Sequence, residues 1–174
     1  MEKPEEMIDR IKNLFQLKEL PGEGGFFAET YRSEVLLPAA DLPARYAIQK
    51  PAGTAILFLL TAGPNGFSAL HRLPTDEIYH FYLGDPVEML LLYPDGSSKL
   101  VLLGQDIFNG QQVQFTVPRW VWQGSHLRAG GQFALLGTTM APGFTPSDFE
   151  PGSCADLLRQ YPGQAETIRQ LTRE

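Results

Sequence analysis

The hydrophobic positions near the start of the chain repeat every three or four residues, as they do on one face of an α-helix. They are Met7, Ile8, Ile11, Leu14 and Phe15. Pro4 suits the first turn of such a helix, and the glycine-rich segment at 21–25 would end it. The pattern therefore predicts a helix from Pro4 to Leu20, within an N-terminal unit of residues 1–20, that packs against the rest of the fold.

Beyond residue 25 the pattern changes to short apolar runs and two-residue alternation, separated by turns that contain glycine and proline. These features predict strands at 26–33, 45–49, 54–61, 67–73, 77–83, 87–93, 99–103, 113–117, 121–125 and 132–140. Residues 155–173 have a helical pattern in two pieces that divide at Pro162 and Gly163. We therefore predict an all-β sandwich or barrel at 25–145, followed by a helical tail at 146–174.

Composition and charge narrow the class of protein. The chain has 174 residues, a formal net charge of −6, one cysteine and no stripe of lysine and arginine. We therefore expect a single domain with no internal disulfide and no nucleic-acid partner. No apolar run reaches the length of a membrane span, and the N-terminus is charged. These features favour a cytoplasmic protein with no membrane partner.

The segment from Gly66 to Gly84 carries the residues best suited to metal binding or catalysis. The order and spacing of His71, Leu73 and Glu77 resemble the first cupin motif, in which a strand carries His-x-His and a glutamate opens the next strand. Leu73 stands where the second histidine of that motif would be. A second departure follows in the segment 118–123, where Gln123 replaces the last ligand of the second cupin motif.

The two departures together resemble one branch of the RmlC-like cupin superfamily, the DUF985 (cupin_5) family. The similar segments are 24–33, 54–60, 71–86, 102–111, 117–123 and 141–150. The resemblance implies a double-stranded β-helix, the cupin jelly roll, with flanking helices, an internal pocket and a homodimer. Leu73 and Gln123 are usual in that family, whereas Trp120 stands where a glycine is commoner, so we expect Trp120 to reshape the mouth of the pocket.

Strand parity indicates which side chains share the interior of this barrel, because alternate residues of a strand share a face. His71 and Leu73 share one face, and Glu77, Tyr79 and Phe81 share another. The cupin frame then brings His71, Glu77 and Gln123 together. We predict acid–base chemistry with His71 as the base, Glu77 as the group that orients it, and Tyr79 as the acid.

Further ligand contacts are predicted from hydrogen-bonding and aromatic side chains near this frame. They are Gln123, Phe81, Phe58, Glu29, Arg32 and Trp122. Core packing is the alternative for the aromatic residues, and a surface ion pair is the alternative for Arg32. Alternation in 26–33 would place Glu29 and Arg32 on opposite faces of one strand.

These residues support a hypothesis about function with two alternatives. The hypothesis is a cupin that binds a small polar metabolite, such as a sugar or a sugar nucleotide, with isomerase-like or epimerase-like proton transfer. One alternative is a non-catalytic binding or sensing protein. The other is a metal-dependent oxygenase or lyase that uses a divalent metal at His71, Glu77 and Gln123. We expect no cofactor, because Leu73 donates nothing and an amide oxygen is a weak ligand for a transition metal.

Overall fold

Two antiparallel β-sheets form the body of the protein, as described for residues 3–173 by a computed structural model. The helices are α1 (Pro4–Phe15), α2 (Cys154–Gln160) and α3 (Ala165–Gln170). The strands are β1 (Lys18–Glu19), β2 (Phe26–Arg32), β3 (Leu36–Leu37), β4 (Lys50–Pro51), β5 (Thr54–Thr61), β6 (Ser68–Arg72), β7 (Glu77–Gly84), β8 (Val87–Leu92), β9 (Ser98–Leu103), β10 (Gln114–Val117), β11 (Trp122–Leu127), β12 (Phe133–Met140) and β13 (Glu150–Pro151).

Long-range strand pairing gives the two sheets a jelly-roll topology. One sheet has the order β1-β2-β5-β12-β7-β10, and the other has the order β13-β6-β11-β8-β9. The pairs β5–β12, β7–β12 and β6–β11 join strands that are far apart in sequence, and all are antiparallel. The predicted all-β double-stranded architecture with flanking helices is therefore confirmed.

The main hydrophobic core lies between the two sheets and fills one part of the barrel. It consists of Phe58, Leu60, Tyr79, Phe81, Val87, Met89, Leu91, Val101, Leu103, Val117, Val121, Ala134 and Leu136. Burial of each large side chain of this kind contributes about 1.5–3 kcal/mol. Strand parity is as predicted on β7, where Glu77, Tyr79 and Phe81 are buried.

The helices cover the outer faces of the sheets through two further apolar clusters. Ile11 of α1 packs with Leu59 and Leu135 of the six-stranded sheet. Residues of α2 and α3 pack with Leu70 and Leu90 of the five-stranded sheet. Within residues 3–173, no helix has both the length and the apolar character that a membrane span requires.

Three predicted boundaries are wrong. The first helix ends at Phe15 and not at Leu20, because Gln16 adopts the left-handed conformation with φ 54°. The expected strand at 45–49 is replaced by β4, which pairs with β3. The sheet also continues past residue 145, because β13 pairs with β6. The two helical pieces of the tail are confirmed.

Candidate functional site

A cavity of about 530 Å³ opens between the sheets, next to the main core. It is lined by strands of both sheets, by the loop before β2, and by residues 141–149, which we call the strap. The lining residues are Leu20, Pro21, Glu23, Phe27, Glu29, Arg32, Thr54, Ala55, Ile56, His71, Leu73, Glu77, Thr138, Met140, Phe144, Pro146 and Phe149. The cavity therefore contains two of the three predicted catalytic residues, His71 and Glu77.

His71 is held in one orientation by its neighbours on β6 and the strap. Its Nδ1 lies 2.8 Å from the carbonyl oxygen of Ala69, and the ring stacks on Phe149 with a centroid separation of 5.2 Å. A carbonyl oxygen can only accept, so Nδ1 carries the hydrogen and donates it. In the neutral imidazole, Nε2 is then the basic atom. Ala69, and not Glu77 as predicted, orients the ring.

Glu77 is 7% exposed and is surrounded by hydrogen-bond donors. Gln123 Nε2 donates to Glu77 Oε2 over 2.8 Å, and the hydroxyl of Thr138 also bonds to the carboxyl group. Burial raises the pKa of Glu77 above its ordinary value, and the charge of Glu23 adds to this effect. The electrostatic interaction with His71 and the hydrogen bonds from Thr138 and Gln123 oppose it. Glu77 therefore keeps its proton to a higher pH than an ordinary glutamate does.

Tyr79 does not reach the cavity. Its side chain is 2% exposed and its hydroxyl bonds to Glu77. Burial first, and then the charges of Glu77 and Glu23, raise the pKa of Tyr79 well above 10. Tyr79 therefore positions Glu77 from the side of the main core. This differs from the predicted role of an acid that faces the ligand.

Glu23 completes the polar end of the cavity, and the sequence prediction missed it. Its Oε1 accepts a hydrogen bond from Ser68 Oγ over 2.7 Å, and its Oε2 lies 3.9 Å from His71 Nε2. The loop that carries it needs glycine, because Gly24 and Gly25 have φ values of 100° and 67°. The signal in the sequence is a glutamate inside the glycine-rich segment that is predicted to end the first helix.

Glu29 and Arg32 lie at the cavity together, although strict alternation would separate them. A β-bulge shifts the register between Glu29 and Tyr31, so the extra residue Thr30 reverses the parity of the strand. Arg32 Nε and Nη2 donate to the two oxygens of Glu29 over 2.9 and 2.6 Å, and Nη1 donates to the carbonyl of Phe144 over 3.1 Å. The hydrogen bonds that Arg32 donates to Glu29 raise the pKa of Arg32.

A comparison with known protein families fits this fold and site. The model of Cupin_5, a family of the cupin superfamily also called DUF985, matches residues 9–151. The chain belongs to the Cupin_5 family. The predicted family resemblance is therefore confirmed.

Similar proteins come from bacteria, a yeast and a protozoan. An uncharacterized protein of Saccharomyces cerevisiae, YML079W, is 30% identical over 158 residues, which are 86% of this chain and 76% of the yeast protein. The structure of protein SO0799 from Shewanella oneidensis has a TM-score of 0.82 and 32% identity, and it covers 95% of this chain and 96% of its own. A hypothetical protein from Leishmania major has a TM-score of 0.83 and 31% identity, with 96% and 98% covered.

A more distant likeness shows the fold alone. Oxalate decarboxylase from Bacillus subtilis has a TM-score of 0.52 and 13% identity; the match covers 90% of this chain and 37% of the decarboxylase.

The Cupin_5 chain lacks a donor set that would hold a metal in the usual cupin manner. Leu73 lines the cavity beside His71, where it offers no lone pair. Gln123 is 1% exposed and directs Nε2 to Glu77. No group of three His, Cys, Asp or Glu side chains in residues 3–173 is placed to hold a metal ion. Glu23, His71 and Glu77 are strong donors of the cavity, but they are not placed as a ligand set, so we derive no step through a metal.

Several predicted ligand contacts lie outside the cavity. Phe58 and Phe81 are part of the main core, and Gln123 lies behind Glu77 with its Oε1 unpartnered among the described residues. Trp122 packs with the cluster under the C-terminal helices, with the Arg72 guanidinium 4.6 Å from its ring centroid. These aromatic residues contribute packing, and we do not place them against a ligand.

Trp120 is not among the residues that line the cavity, and its expected effect on the pocket mouth stays a prediction. Its φ of 64° is the left-handed conformation that favours glycine, and its N–H donates to the carbonyl of Leu73 over 2.8 Å. The ring lies on the side of Arg72, whose guanidinium is 5.7 Å from the ring centroid.

Proposed function

We propose that this Cupin_5 protein binds a small, mostly apolar molecule in the cavity and exchanges a proton with its polar end through His71 and Glu77. The observation that carries the proposal is the asymmetry of the cavity. Glu23, His71 and Glu77 lie together, and most of the remaining lining is hydrocarbon. Perturbed titratable groups in an apolar pocket are typical of a ligand-binding or active site.

The lining favours an apolar ligand over the sugar nucleotide that the sequence suggested. The apolar residues are Leu20, Pro21, Phe27, Ala55, Ile56, Leu73, Met140, Phe144, Pro146 and Phe149. A diphosphate needs cationic partners. Among the lining residues that the structure describes, Arg32 is the only lysine or arginine. Its guanidinium is already bonded to both oxygens of Glu29.

The proposed chemistry is proton transfer beside a carbonyl group. His71 Nε2 removes a proton from the carbon next to the carbonyl, and the electron pair of that C–H bond forms a carbon–carbon double bond. Glu77 donates its proton to the carbonyl oxygen, which gives the enol. Tyr79, Thr138 and Gln123 then donate to the Glu77 carboxylate, so the charge left behind is stabilised.

Deuterium exchange tests this proposal without knowledge of the natural substrate. A panel of small aryl and alkyl ketones in D2O is followed by proton NMR for loss of the signal next to the carbonyl. We expect exchange above the buffer rate, lowered at least about a hundredfold by His71→Ala or Glu77→Gln. His126→Ala, at a site near Glu88 on another face, is the matched control.

The same experiment separates the alternatives. Binding of the ketones without exchange would assign the chain as a non-catalytic binding or sensing protein. Exchange that persists in His71→Ala would contradict the role of the base. Stoichiometric manganese, iron, nickel or zinc in protein purified without chelator would favour the metal-dependent oxygenase or lyase.

We also propose that the chain forms a homodimer, as the family resemblance implied. Support comes from large apolar side chains exposed along the β7–β10 edge of the six-stranded sheet and on the turn beside it. They are Tyr82, Leu83, Ile107, Phe108 and Val113. An exposed edge strand with apolar neighbours is a surface that proteins usually cover.

A further inference from the structure

The carboxylate of Glu23 is fixed in place although it belongs to a loop. Ser68 holds Oε1 over 2.7 Å. The backbone carbonyl of Glu23 accepts from the N–H of Ala69 over 2.9 Å and from Arg173 Nε over 3.2 Å. The Glu23 side chain is 13% exposed, so these contacts set a mostly buried acceptor at the cavity wall.

The second oxygen of Glu23 is left for a ligand. Oε2 lies 3.9 Å from His71 Nε2, beyond hydrogen-bond length, and receives no hydrogen bond from the residues that the structure describes. His71 Nε2 is an acceptor too, because Nδ1 donates to Ala69. Oε2 is therefore an acceptor at the cavity wall with no partner among the described residues, so a ligand that brings a donor to Oε2 is favoured.

We infer that the substrate is an α-hydroxy ketone or α-hydroxy aldehyde with an apolar arm, and that Glu23 accepts its hydroxyl group. The inference rests on the proposed function. Glu77 faces the carbonyl oxygen, His71 Nε2 faces the C–H between the two oxygens, and the apolar arm packs against Phe27, Ile56 and Met140.

This assignment gives a balanced isomerisation. The proton on the hydroxyl-bearing carbon moves to His71 Nε2, its electron pair forms the double bond of an enediol, and the Glu77 proton moves to the carbonyl oxygen. In the second half, the imidazolium returns its proton to the former carbonyl carbon while the first hydroxyl gives its proton to Glu23. The carbonyl and hydroxyl groups have exchanged places, and the proton now on Glu23 returns to Glu77 through solvent. Glu23 also stabilises the imidazolium 3.9 Å away.

Phenylacetylcarbinol is a suitable probe, and phenylacetone is the matched compound without the hydroxyl group. We expect phenylacetylcarbinol to bind at least about tenfold more tightly in calorimetric titration, as a hydrogen bond to a charged acceptor predicts. NMR should also detect its conversion to the isomeric hydroxy ketone. Glu23→Gln should abolish the difference in affinity and the conversion. Glu19→Gln, which changes an exposed carboxylate on β1, should change neither.

The outcomes distinguish the hydroxyl contact from the proton transfer. Equal affinity for the two compounds in the wild type, or a difference that survives Glu23→Gln, would overturn the assignment of Glu23. If deuterium still exchanges into phenylacetone in that case, the proposed proton transfer remains supported. A tenfold preference with no exchange into either compound would support the Glu23 contact and refute the proton transfer. If Glu23→Gln does not fold, Ser68→Ala should weaken the preference by freeing Oε1.

Discussion

Leu73 occupies the position at which the first cupin motif carries its second histidine, and its side chain is 4% exposed at the cavity wall. His71 and Glu77 still line the cavity, so leucine in place of the second histidine removes one possible metal ligand and leaves the rest of the motif in place. A leucine at this position therefore disfavours metal ligation in the cupin manner.

Leu73→His should restore a metal site. It would add a second imidazole beside His71 and Glu77 at the spacing of the first cupin motif, so we expect stoichiometric Co²⁺ or Zn²⁺ binding at concentrations where the wild type binds weakly. Calorimetry and the visible spectrum of Co²⁺ measure this. The double variant Leu73→His/His71→Ala is the control, and equal binding in both variants would show that the metal lies elsewhere.

Glu77→Gln should change how stability depends on pH. The folded pKa of Glu77 lies above its ordinary value of 4.5, so the folded protein keeps a proton that the unfolded chain releases. The stabilisation from neutral Glu77 is full below 4.5 and is lost as pH rises toward the folded pKa. The wild type should therefore lose stability relative to Glu77→Gln over this range.

Urea unfolding of both proteins between about pH 4 and about pH 8 measures this slope. A constant offset between the two proteins is expected from the altered hydrogen bonds and is not the test. Parallel stability curves over the whole range would contradict the raised pKa of Glu77.

The sequence predicted the facing of His71 and Glu77 correctly, because strand parity and motif spacing are local properties. It did not predict Glu23, whose role depends on a loop that contacts β6, nor Ala69 as the partner of His71. Strand parity predicted that Glu29 and Arg32 lie on opposite faces, because the bulge at Thr30 that brings them together has no clear sequence signal. The pairing between distant strands, and not the local pattern, decides these contacts.

The strap is fastened to β4 by a buried lysine. Lys50 is 1% exposed; its Nζ donates to Thr145 Oγ1 over 2.7 Å and forms an ion pair with Asp148. Asp148 also accepts the N–H of Thr145 over 2.8 Å. Phe144 and Phe149, which lie on either side of this anchor, both line the cavity. The anchor therefore shapes the wall of the cavity next to His71.

Lys50→Met should unfold more easily by about 3–5 kcal/mol, because the carboxylate of Asp148 is left buried without its cation. The double variant Lys50→Met/Asp148→Asn should recover much of this loss, because the unpaired charge is gone while Thr145 keeps a partner. Chemical denaturation measures both. Similar losses in the single and double variants would show that packing of Lys50, and not its charge, matters.

The arrangement of strands was mostly predictable. Turn signals and apolar runs located all the long strands of both sheets, since these strands bring apolar side chains to the core and to the two clusters beside it. The short strands β1, β3, β4 and β13 were missed or misplaced, because two residues carry no periodicity. The tail helices were found, but only the structure shows that they cover the five-stranded sheet.

Light scattering should detect a dimer in solution, and Phe108→Lys with Leu83→Lys should shift it toward the monomer. Phe108 is 94% exposed and Leu83 is 40% exposed, so neither change disturbs the core. Leu100→Lys, at a residue 58% exposed on β9, is the matched control and should leave the mass unchanged. A monomeric wild type, or an equal effect of the control, would contradict this interface.

The strap has a consequence for the order of biosynthesis. Its cavity-facing residues Phe144, Pro146 and Phe149 follow β12 along the chain, so a ribosome makes them only after every strand of the six-stranded sheet. A nascent barrel therefore presents an open apolar interior until translation reaches the strap and its anchor Asp148 can meet Lys50. That interval is when a chaperone or a protease would meet this chain as a client.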